Sequence, residues 1–380
     1  MRIGLLKETK VGEHRVAITH TGVAELLRDE HEIFVEKDAG KSVGIKNSDY
    51  EDAGAILVSN AEEVFKRSEL LIKVKEPSIM ECELLREKQT IFCYLHLAAF
   101  PEQTKSLCRS KATAIAYETV SVGNELPMLI PMSKIAGRVA MQTATYYLQT
   151  PLGGRGILLG GEDGLNQGKV VVIGGGTAGE SAAKVALGIG AEVVIFDKSE
   201  KRLEELRKIF KGQVSCVLPE EGTFHEEIYD AEVVIGAVLI PGASAPKLIN
   251  REMLPSMKKR SLLVDIAIDQ GGCFETSKPT DHDNPVYVEE EVLHYCVANI
   301  PSAVPRTSTR CLELATLPYL KLLARDGAEK IAQSTDHPLH SGINIHQGSI
   351  TCKPVAEAQN LAASGVKELK SRYLLKFSDI

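Results

Sequence analysis

The sequence predicts an α/β protein built from two doubly wound parallel-sheet domains. Three observations support this prediction. A complete βαβ pattern spans residues 169–197, apolar runs alternate with helical stretches over the first third of the chain, and the alternation continues beyond residue 197. Strands that alternate with helices form parallel sheets whose faces the helices cover. We therefore expect one domain over residues 131–305 and a second, discontinuous Rossmann-like domain over 1–130 and 306–380.

The first third of the chain contains six candidate strands separated by helical stretches. These strands are Arg2–Leu6, Glu32–Glu36, Ala55–Val58, Leu70–Val74, Thr90–Leu95 and Thr113–Tyr117. In such sheets the ligand lies beyond the carboxyl ends of the strands. Arg15, Lys75 and His96 follow three of the strands, so we expect a carboxylate-binding pocket with an acid–base residue. Taken singly, each residue also fits a surface charge, a strand-end lysine or a buried histidine.

The stretch from Lys169 to Asp197 has the pattern of a nucleotide-binding unit. After the apolar run Val170–Ile173, Gly174, Gly176 and Gly179 follow the G-x-G-x-x-G spacing. This spacing permits a tight turn, close approach of the backbone to a pyrophosphate, and close packing of helix on strand. Asp197 ends the next apolar strand, where a carboxylate accepts hydrogen bonds from a ribose and repels a 2′-phosphate. The pattern favours NAD over NADP as the cofactor. Lys198, Lys201 and Arg202 could neutralise an extra phosphate, but they also fit solvated charges at the start of a surface helix.

The rest of the chain continues the doubly wound pattern. Ser133–Gln149 reads as a helix that connects the domains, and a helical stretch from Thr307 to Ala324 returns the chain to the first one. The strand ends carry Val238, Leu239, Asp269 and Asn299. Further candidate strands are Val214–Leu218, Ala231–Val238, Ser261–Ile268 and Tyr295–Ala298.

Composition narrows the class of protein. A net charge of −7 and the lack of a Lys/Arg run with aromatics argue against a nucleic-acid surface. No apolar run is long enough to span a bilayer, and the chain opens on a strand instead of a signal peptide. The eight cysteines contain no C-x-x-C pair, so the sequence indicates no zinc site, no disulfide framework and a reducing, cytoplasmic setting.

Several blocks of the sequence resemble one family. These are MRIGLLKETKVGEHRVAITHTGVAELL, LLIKVKEP, LHLAA, AYETV, PMSKIAGR, GGGTAG, VIGAVLIPGASAPKL, VDIAIDQGGCFE and YCVANIPSAVPRTST. Together they look like NAD-dependent alanine dehydrogenase over nearly the whole chain, thinning after residue 325. The resemblance implies reversible conversion of L-alanine to pyruvate and ammonium with hydride transfer to NAD, in a homohexamer.

The resemblance also implies residue roles. Arg15 and Lys75 match the pair that binds the substrate carboxylate and carbonyl, His96 matches the catalytic acid–base, and Asp269 matches a second catalytic residue. Positions that match NAD contacts are Ser133, Thr177, Ala178, Asp197, Arg202, Val238, Leu239, Ile266, Ala267, Ile268, Asp269, Lys278, Val297, Ala298, Asn299 and Ile300. Some members carry a divalent ion at the glutamate matching Glu118, but the partner histidine corresponds to Asp326 here, and we predict no metal.

Three other interpretations of the function are compatible with the sequence. The nucleotide-binding component of a transhydrogenase shares the two-domain plan but does not need Arg15, Lys75 and His96. Lysine-forming or saccharopine-type dehydrogenases share a similar scaffold but take larger substrates. A non-catalytic NAD-binding module is a further possibility, because fold alone does not fix function. Since the candidate catalytic residues fall in both domains, we expect a site completed by domain closure.

Overall fold

A computed structural model describes residues 1–123, 125–238 and 245–361 of the 380-residue chain. The chain divides into two compact units, and each is described by itself. Unit 1 comprises Met1–Met132 and the chain from Val304, and unit 2 comprises Ser133–Ala303. No helix among the described residues has the length and apolar character needed to cross a membrane.

The strands of the described chain are numbered in chain order. They are β1 Arg2–Leu5, β2 Glu32–Glu36, β3 Ile56–Val58, β4 Leu70–Ile72, β5 Thr90–Cys93, β6 Thr113–Ala116, β7 Lys169–Ile173, β8 Glu192–Phe196, β9 Ser215–Val217, β10 Val233–Gly236, β11 Leu262–Asp265, β12 Val286–Glu289, β13 Val292–Tyr295, β14 Ile343–His346 and β15 Ser349–Ile350.

The α-helices of the same residues are numbered likewise. They are α1 His20–Arg28, α2 Asn47–Asp52, α3 Ala61–Arg67, α4 Ile79–Leu84, α5 Pro101–Ser110, α6 Ile130–Tyr147, α7 Thr177–Gly188, α8 Glu200–Phe210, α9 Glu221–Tyr229, α10 Pro305–Asp326, α11 Ala328–Gln333 and α12 Lys353–Ala358. Short 3₁₀ turns follow several strands, among them Leu97–Ala99 after β5 and Ile266–Gln270 after β11.

Unit 1 is organised around an eight-stranded sheet of order β15-β14-β6-β5-β4-β1-β2-β3. Strands β1 to β6 are all parallel, whereas β14 and β15 add an antiparallel edge. Strand β1 pairs with β4 so that Leu5 lies opposite Ile72, and Ile72 lies opposite Phe92 of β5. The carboxyl ends of these strands therefore reach the same edge of the sheet.

Unit 2 contains a seven-stranded sheet of order β12-β13-β11-β10-β7-β8-β9. Counted from β7, the six parallel strands follow the order 3-2-1-4-5-6 of a dinucleotide-binding fold, and β12 is antiparallel at one edge. The strand order reverses between β7 and β10, where ligands of this fold class bind. Val170–Val172 and Val233–Ile235 are fully buried, as expected for central strands covered on both faces.

The structure confirms the predicted α/β class and most of the strands, and it corrects three details. Both sheets carry antiparallel edge strands that were not predicted. The predicted strand Ser261–Ile268 ends at Asp265, because the Asp265 side chain accepts the Ala267 N–H and starts a 3₁₀ turn. The predicted strand Tyr295–Ala298 is placed too late in the sequence. The observed strand β13 is Val292–Tyr295, and beyond it Val297 forms only an isolated bridge to Thr280.

Candidate active site

At the carboxyl edge of the unit 1 sheet, polar residues follow neighbouring strands at the same offset. Lys75 lies three residues beyond the end of β4, and His96 three residues beyond the end of β5. Glu8 takes the same position after β1. Since parallel strands β1, β4 and β5 are adjacent in the sheet, these residues leave it side by side. The structure thus brings together two of the predicted site residues.

Arg15 joins this group from the loop after β1. Its side chain is buried, and its guanidinium donates from Nε to Glu13 Oε1 at 2.7 Å and from Nη2 to Glu13 Oε2 at 2.6 Å. The Nη1 atom lies 3.1 Å from the Met132 sulfur. A two-pronged ion pair of this kind fixes the plane of the guanidinium. Glu13, which no sequence motif singles out, therefore fixes the orientation of the Arg15 guanidinium.

His96 has a constrained backbone and an electropositive setting. Its φ of +48° lies in the left-handed region, and its backbone N–H donates to Glu118 Oε1 at 2.6 Å. The imidazole stacks on Tyr94, with ring centroids 5.8 Å apart and an interplanar angle of 9°. Burial, together with the positive charges of Lys75, Lys10 and Arg15, lowers the pKa of His96 to about 3. The ring is therefore neutral near pH 7 and can accept a proton.

Neighbouring charges at this edge form ion pairs. Lys73 and Glu81 are buried and their side chains are 2.8 Å apart, and the Lys10 ammonium contacts Glu76. Glu118 is held by backbone donors, since its oxygens accept the N–H groups of Leu95 and His96. Burial raises the pKa of Glu118. Within this network of ion pairs, the positive charges of Lys75, Lys10 and Arg15 all act on the His96 ring.

Glu8 is a second residue at this edge that could not be identified from the sequence. Its Oε1 accepts the Val74 N–H at 2.5 Å, and its Oε2 lies 3.4 Å from the Lys75 backbone nitrogen. Burial raises its pKa to about 7; Lys73 opposes that rise and Glu13 adds to it. The signal available in the sequence was the position of Glu8 just after the first predicted strand, since positions just after strands also singled out Lys75 and His96.

In unit 2, the glycine turn after β7 has the geometry that a dinucleotide requires. Gly174 has a φ of +98°, and a Cβ on Gly179 would lie 1.9 Å from the Gly174 carbonyl oxygen. A Cβ on Gly176 would meet nothing within 4 Å, so space remains beside this backbone. Helix α7 begins after Gly176 without a side-chain cap. Its first N–H groups, those of Thr177 and Ala178 included, therefore face a position suited to phosphate.

Asp197 and Arg202 line the next strand end. Asp197 accepts the Gly175 N–H at 2.8 Å and the Ser199 N–H at 2.9 Å, which ties the acid to the glycine turn. Arg202 donates from Nε to the Gly175 carbonyl oxygen at 2.8 Å and pairs with Glu180 and Glu205. These two glutamates offset the charge that Arg202 would otherwise offer to a 2′-phosphate.

Most of the other predicted cofactor contacts follow three further strands of unit 2. Val238, the turn Ile266–Asp269 and the segment Val297–Ile300 follow β10, β11 and β13, and so lie at the same edge as the glycine turn. Asp269 is exposed there. Leu239 lies outside the described residues.

Ser133 and Lys278 lie outside these strand ends. Ser133 is in α6, one helical turn before Gly137, whose Cβ would lie 2.0 Å from the Ala178 oxygen, so α6 packs against the start of α7. Lys278 pairs with Glu289 at 2.9 Å, and its ammonium lies 5.5 Å from the Tyr287 ring centroid. The hydroxyl of the neighbouring Ser277 donates a hydrogen bond to Asp265 Oδ2 at the end of β11.

The described residues contain no cluster of three His, Cys, Asp or Glu side chains that could hold a metal ion. Asp326, which replaces the histidine considered as a partner of Glu118, contacts Arg325, Lys330 and His337. The two basic side chains lower the pKa of the Asp326 carboxyl. This carboxylate is therefore part of a local ion-pair cluster at the end of α10.

Comparisons with known proteins agree with this architecture. The family model "Alanine dehydrogenase/PNT, N-terminal domain" matches residues 4–136, and "Alanine dehydrogenase/PNT, C-terminal domain" matches residues 140–353. The chain is 48% identical to an alanine dehydrogenase of Halomonas elongata, over 95% of this chain and 97% of that protein. It is 45% identical to the alanine dehydrogenase of Mycolicibacterium smegmatis, with the same shares of both chains covered.

Two solved structures are also similar to this chain. A structure titled L-alanine dehydrogenase matches with a TM-score of 0.90 and 42% identity, over 95% of this chain and 99% of that one. A transhydrogenase from Sinorhizobium meliloti shares the fold, with a TM-score of 0.79 and 23% identity over 92% of this chain and 98% of that one. The resemblance seen in the sequence blocks is confirmed, and the chain belongs to the alanine dehydrogenase family.

Proposed function

We propose that this chain catalyses the reversible oxidative deamination of L-alanine to pyruvate and ammonium, with NAD as the hydride acceptor. The observation that carries the proposal is the group Arg15, Lys75 and His96 at one sheet edge of unit 1. Two cations and a neutral imidazole suit a small amino acid that needs its carboxylate bound and a proton removed. Relatives named alanine dehydrogenase, at 45–48% identity, support the same reaction.

Arg15 and Lys75 bind the substrate carboxylate in this proposal. Glu13 contacts Nε and Nη2 of the guanidinium, and the Met132 sulfur lies 3.1 Å from Nη1, so the orientation of the group is fixed before a substrate binds. A guanidinium already fixed by a partner loses little rotamer freedom on binding, which makes it a well-oriented clamp. A fixed carboxylate in turn fixes the position of Cα, from which the hydride leaves.

His96 takes up the proton that the substrate ammonium loses. The positive charges of Lys75, Lys10 and Arg15 help to lower its pKa in the free protein. A bound carboxylate brings a negative charge to two of these cations, and its field raises the pKa of the ring toward the range useful for proton transfer. We assign Asp269 the second catalytic role, that of stabilising the iminium product or orienting the water that attacks it.

Unit 2 binds NAD through the edge described above. The N-terminus of α7, with Thr177, Ala178 and the turn at Gly174, Gly176 and Gly179, holds the pyrophosphate, and Asp197 binds the adenosine ribose. When bound, NAD supplies the acceptor for the hydride. The remaining contacts that we assign to NAD are Ser133, Arg202, Val238, Leu239, Ile266, Ala267, Ile268, Asp269, Lys278, Val297, Ala298, Asn299 and Ile300.

We also propose a cytoplasmic homohexamer as the working form. All eight cysteines are free thiols, the state that a reducing compartment maintains. The hexamer rests on the family resemblance and is tested by the mass of the purified protein in solution.

A spectrophotometric assay tests the activity. We expect NADH to form from L-alanine and NAD, and NADH to be consumed when pyruvate and ammonium are supplied. L-Serine, glycine and L-lysine serve as competing substrates, and NADP as the competing acceptor. Turnover of L-lysine in place of L-alanine, or hydride exchange between NADH and NADP without an amino acid, would contradict the proposal.

A further inference from the structure

Glu8 leaves the unit 1 sheet beside the segment that carries Lys75. It lies three residues beyond β1, and Lys75 lies three residues beyond β4. Strands β1 and β4 are neighbours, with Leu5 opposite Ile72. The two side chains therefore start from matching positions on adjacent parallel strands.

The Glu8 carboxyl group contacts the backbone of the Val74–Lys75 segment. Its Oε1 accepts the Val74 N–H at 2.5 Å, and its Oε2 lies 3.4 Å from the Lys75 backbone nitrogen. On the other side, the Val74 carbonyl oxygen accepts the Tyr94 N–H at 2.9 Å. Glu8 and Tyr94, the residue after β5, thus hold the Val74–Lys75 backbone from both sides, and the position of the Lys75 ammonium depends on this backbone.

The ionised form of Glu8 lowers the stability of the folded protein, because its carboxylate is buried. The charged and titratable groups that face it are Lys73, Glu81, Glu13, Arg15, Cys93 and Tyr117. Burial, with Glu13 and Glu81 adding to it, raises the pKa of Glu8 to about 7 against the opposing charge of Lys73. A carboxyl whose pKa is raised in the folded state favours folding while it is protonated and loses that benefit as pH rises through 7. Stability alone would be served better by a neutral side chain.

We propose that Glu8 is a positioning residue for substrate binding, whose carboxylate fixes the Val74–Lys75 backbone and thereby aims the Lys75 ammonium at the substrate carboxylate. The inference rests on the proposed function, because it takes Lys75 as a substrate-binding residue. It assigns Glu8 a role in KM for the amino acid and not in the binding of NAD. A protonated carboxyl keeps one good acceptor oxygen, so positioning weakens when Glu8 takes up a proton.

The variant Glu8→Gln in the full-length chain tests this role. The amide has the same shape but a single acceptor oxygen and no charge. We expect KM for L-alanine and for pyruvate to rise about tenfold, with kcat and KM for NAD changed less than about threefold. Wild-type kcat/KM for L-alanine should fall below about pH 7, the pKa of Glu8, and that part of the pH profile should be missing from Glu8→Gln. The variant should also melt above wild type at pH 8.5.

Glu36→Gln is the matched control. Glu36 ends β2 at the same edge, accepts the Lys7 N–H at 2.9 Å, and has a pKa that burial raises, but its described hydrogen bond goes to Lys7 and not to the backbone of Val74 or Lys75. We expect this variant to keep the wild-type KM for L-alanine. Glu8→Asp is a second test, since it keeps the charge and shortens the reach, so KM should rise while the pH dependence remains.

The outcomes separate the inference from the proposed function. A wild-type chain that does not oxidise L-alanine contradicts both. An active wild type whose KM for L-alanine is unchanged by Glu8→Gln contradicts the inference alone, as does an equal rise in Glu36→Gln. A parallel rise in KM for NAD, or a lower melting temperature for Glu8→Gln at pH 8.5, would show that Glu8 only supports the fold.

Discussion

His96, the proposed base, has a constrained backbone and is neutral in the free protein. The left-handed backbone at His96 is stabilised by the hydrogen bond from its N–H to Glu118, and Tyr94 stacks on its ring. Burial and three nearby cations lower its pKa to about 3. The imidazole therefore needs no deprotonation before it acts, and a bound carboxylate can raise its basicity at the moment of use.

We expect His96→Ala to lower kcat for L-alanine oxidation by about two to four orders of magnitude, the usual contribution of a general acid–base residue. NAD binding, measured by fluorescence or calorimetry, should persist, because His96 belongs to unit 1 and the glycine turn to unit 2. The exposed His14, one residue before Arg15, is the control, and His14→Ala should retain wild-type activity. Near wild-type turnover in His96→Ala would remove this residue from the mechanism.

Asp197 is the residue at which cofactor choice is tested. Its two oxygens accept the Gly175 and Ser199 N–H groups, so the carboxylate stays at the end of β8. We expect Asp197→Gly to raise KM for NAD and to lower the preference for NAD over NADP by about tenfold or more, since the charge that repels a 2′-phosphate is gone. Glu192→Gln, at the opposite end of β8, should change neither value. An unaltered preference would place selectivity elsewhere in unit 2.

At the scale of the element, two glycines of the turn between β7 and α7 are needed for different reasons: Gly179 for packing and Gly176, as we propose, for cofactor binding. A Cβ at Gly179 would lie 1.9 Å from the Gly174 oxygen, so the start of α7 would have to move away from β7. At Gly176 the same atom would meet nothing within 4 Å, and its φ of −66° suits any residue. The two glycines thus serve different ends within one motif.

We expect Gly179→Ala to lower the free energy of unfolding by about 1–3 kcal/mol, as overpacking does, and to weaken NAD binding as well. Gly176→Ala should keep the wild-type melting temperature but weaken NAD binding, because the added methyl fills the space left for the pyrophosphate. Thermal melts with and without NAD measure both effects. A destabilised Gly176→Ala, or an NAD affinity that it leaves intact, would argue against this division of roles.

Sequence reasoning located the parallel strands of both sheets because their apolar runs are continuous. It missed β12, β14 and β15, which are short and lie at or next to a sheet edge, so they carry partly polar patterns such as VYVE. It placed the last strand of unit 2 too late because buried His294 breaks the apolar run of β13. Glu8 and Glu13 were missed since a carboxylate that serves another side chain or the backbone has no motif of its own.

At the scale of the whole molecule, two sheets with the same parallel order are proposed to bind different ligands. Strands β1 to β6 and the six parallel strands of unit 2 both follow the order 3-2-1-4-5-6. Unit 1 has charged residues at its carboxyl edge, whereas unit 2 has a glycine turn and the free N-terminus of a helix. The common topology provides each unit with a ligand-binding edge, and the residues at the strand ends determine which ligand it takes.

Hydrogen exchange can therefore assign each ligand to its own edge. We expect NADH alone to slow exchange in the turn of residues 174–180 and around Asp197, while residues 8–15, 74–76 and 95–97 exchange as in the free protein. Adding pyruvate to the NADH complex should then protect the second set, because the backbone of Val74, Lys75 and His96 carries the groups proposed to bind it. The His96→Ala variant is the control in which the NADH effect persists. Protection of the unit 1 segments by NADH alone would contradict the division of substrate and cofactor between the two sheets.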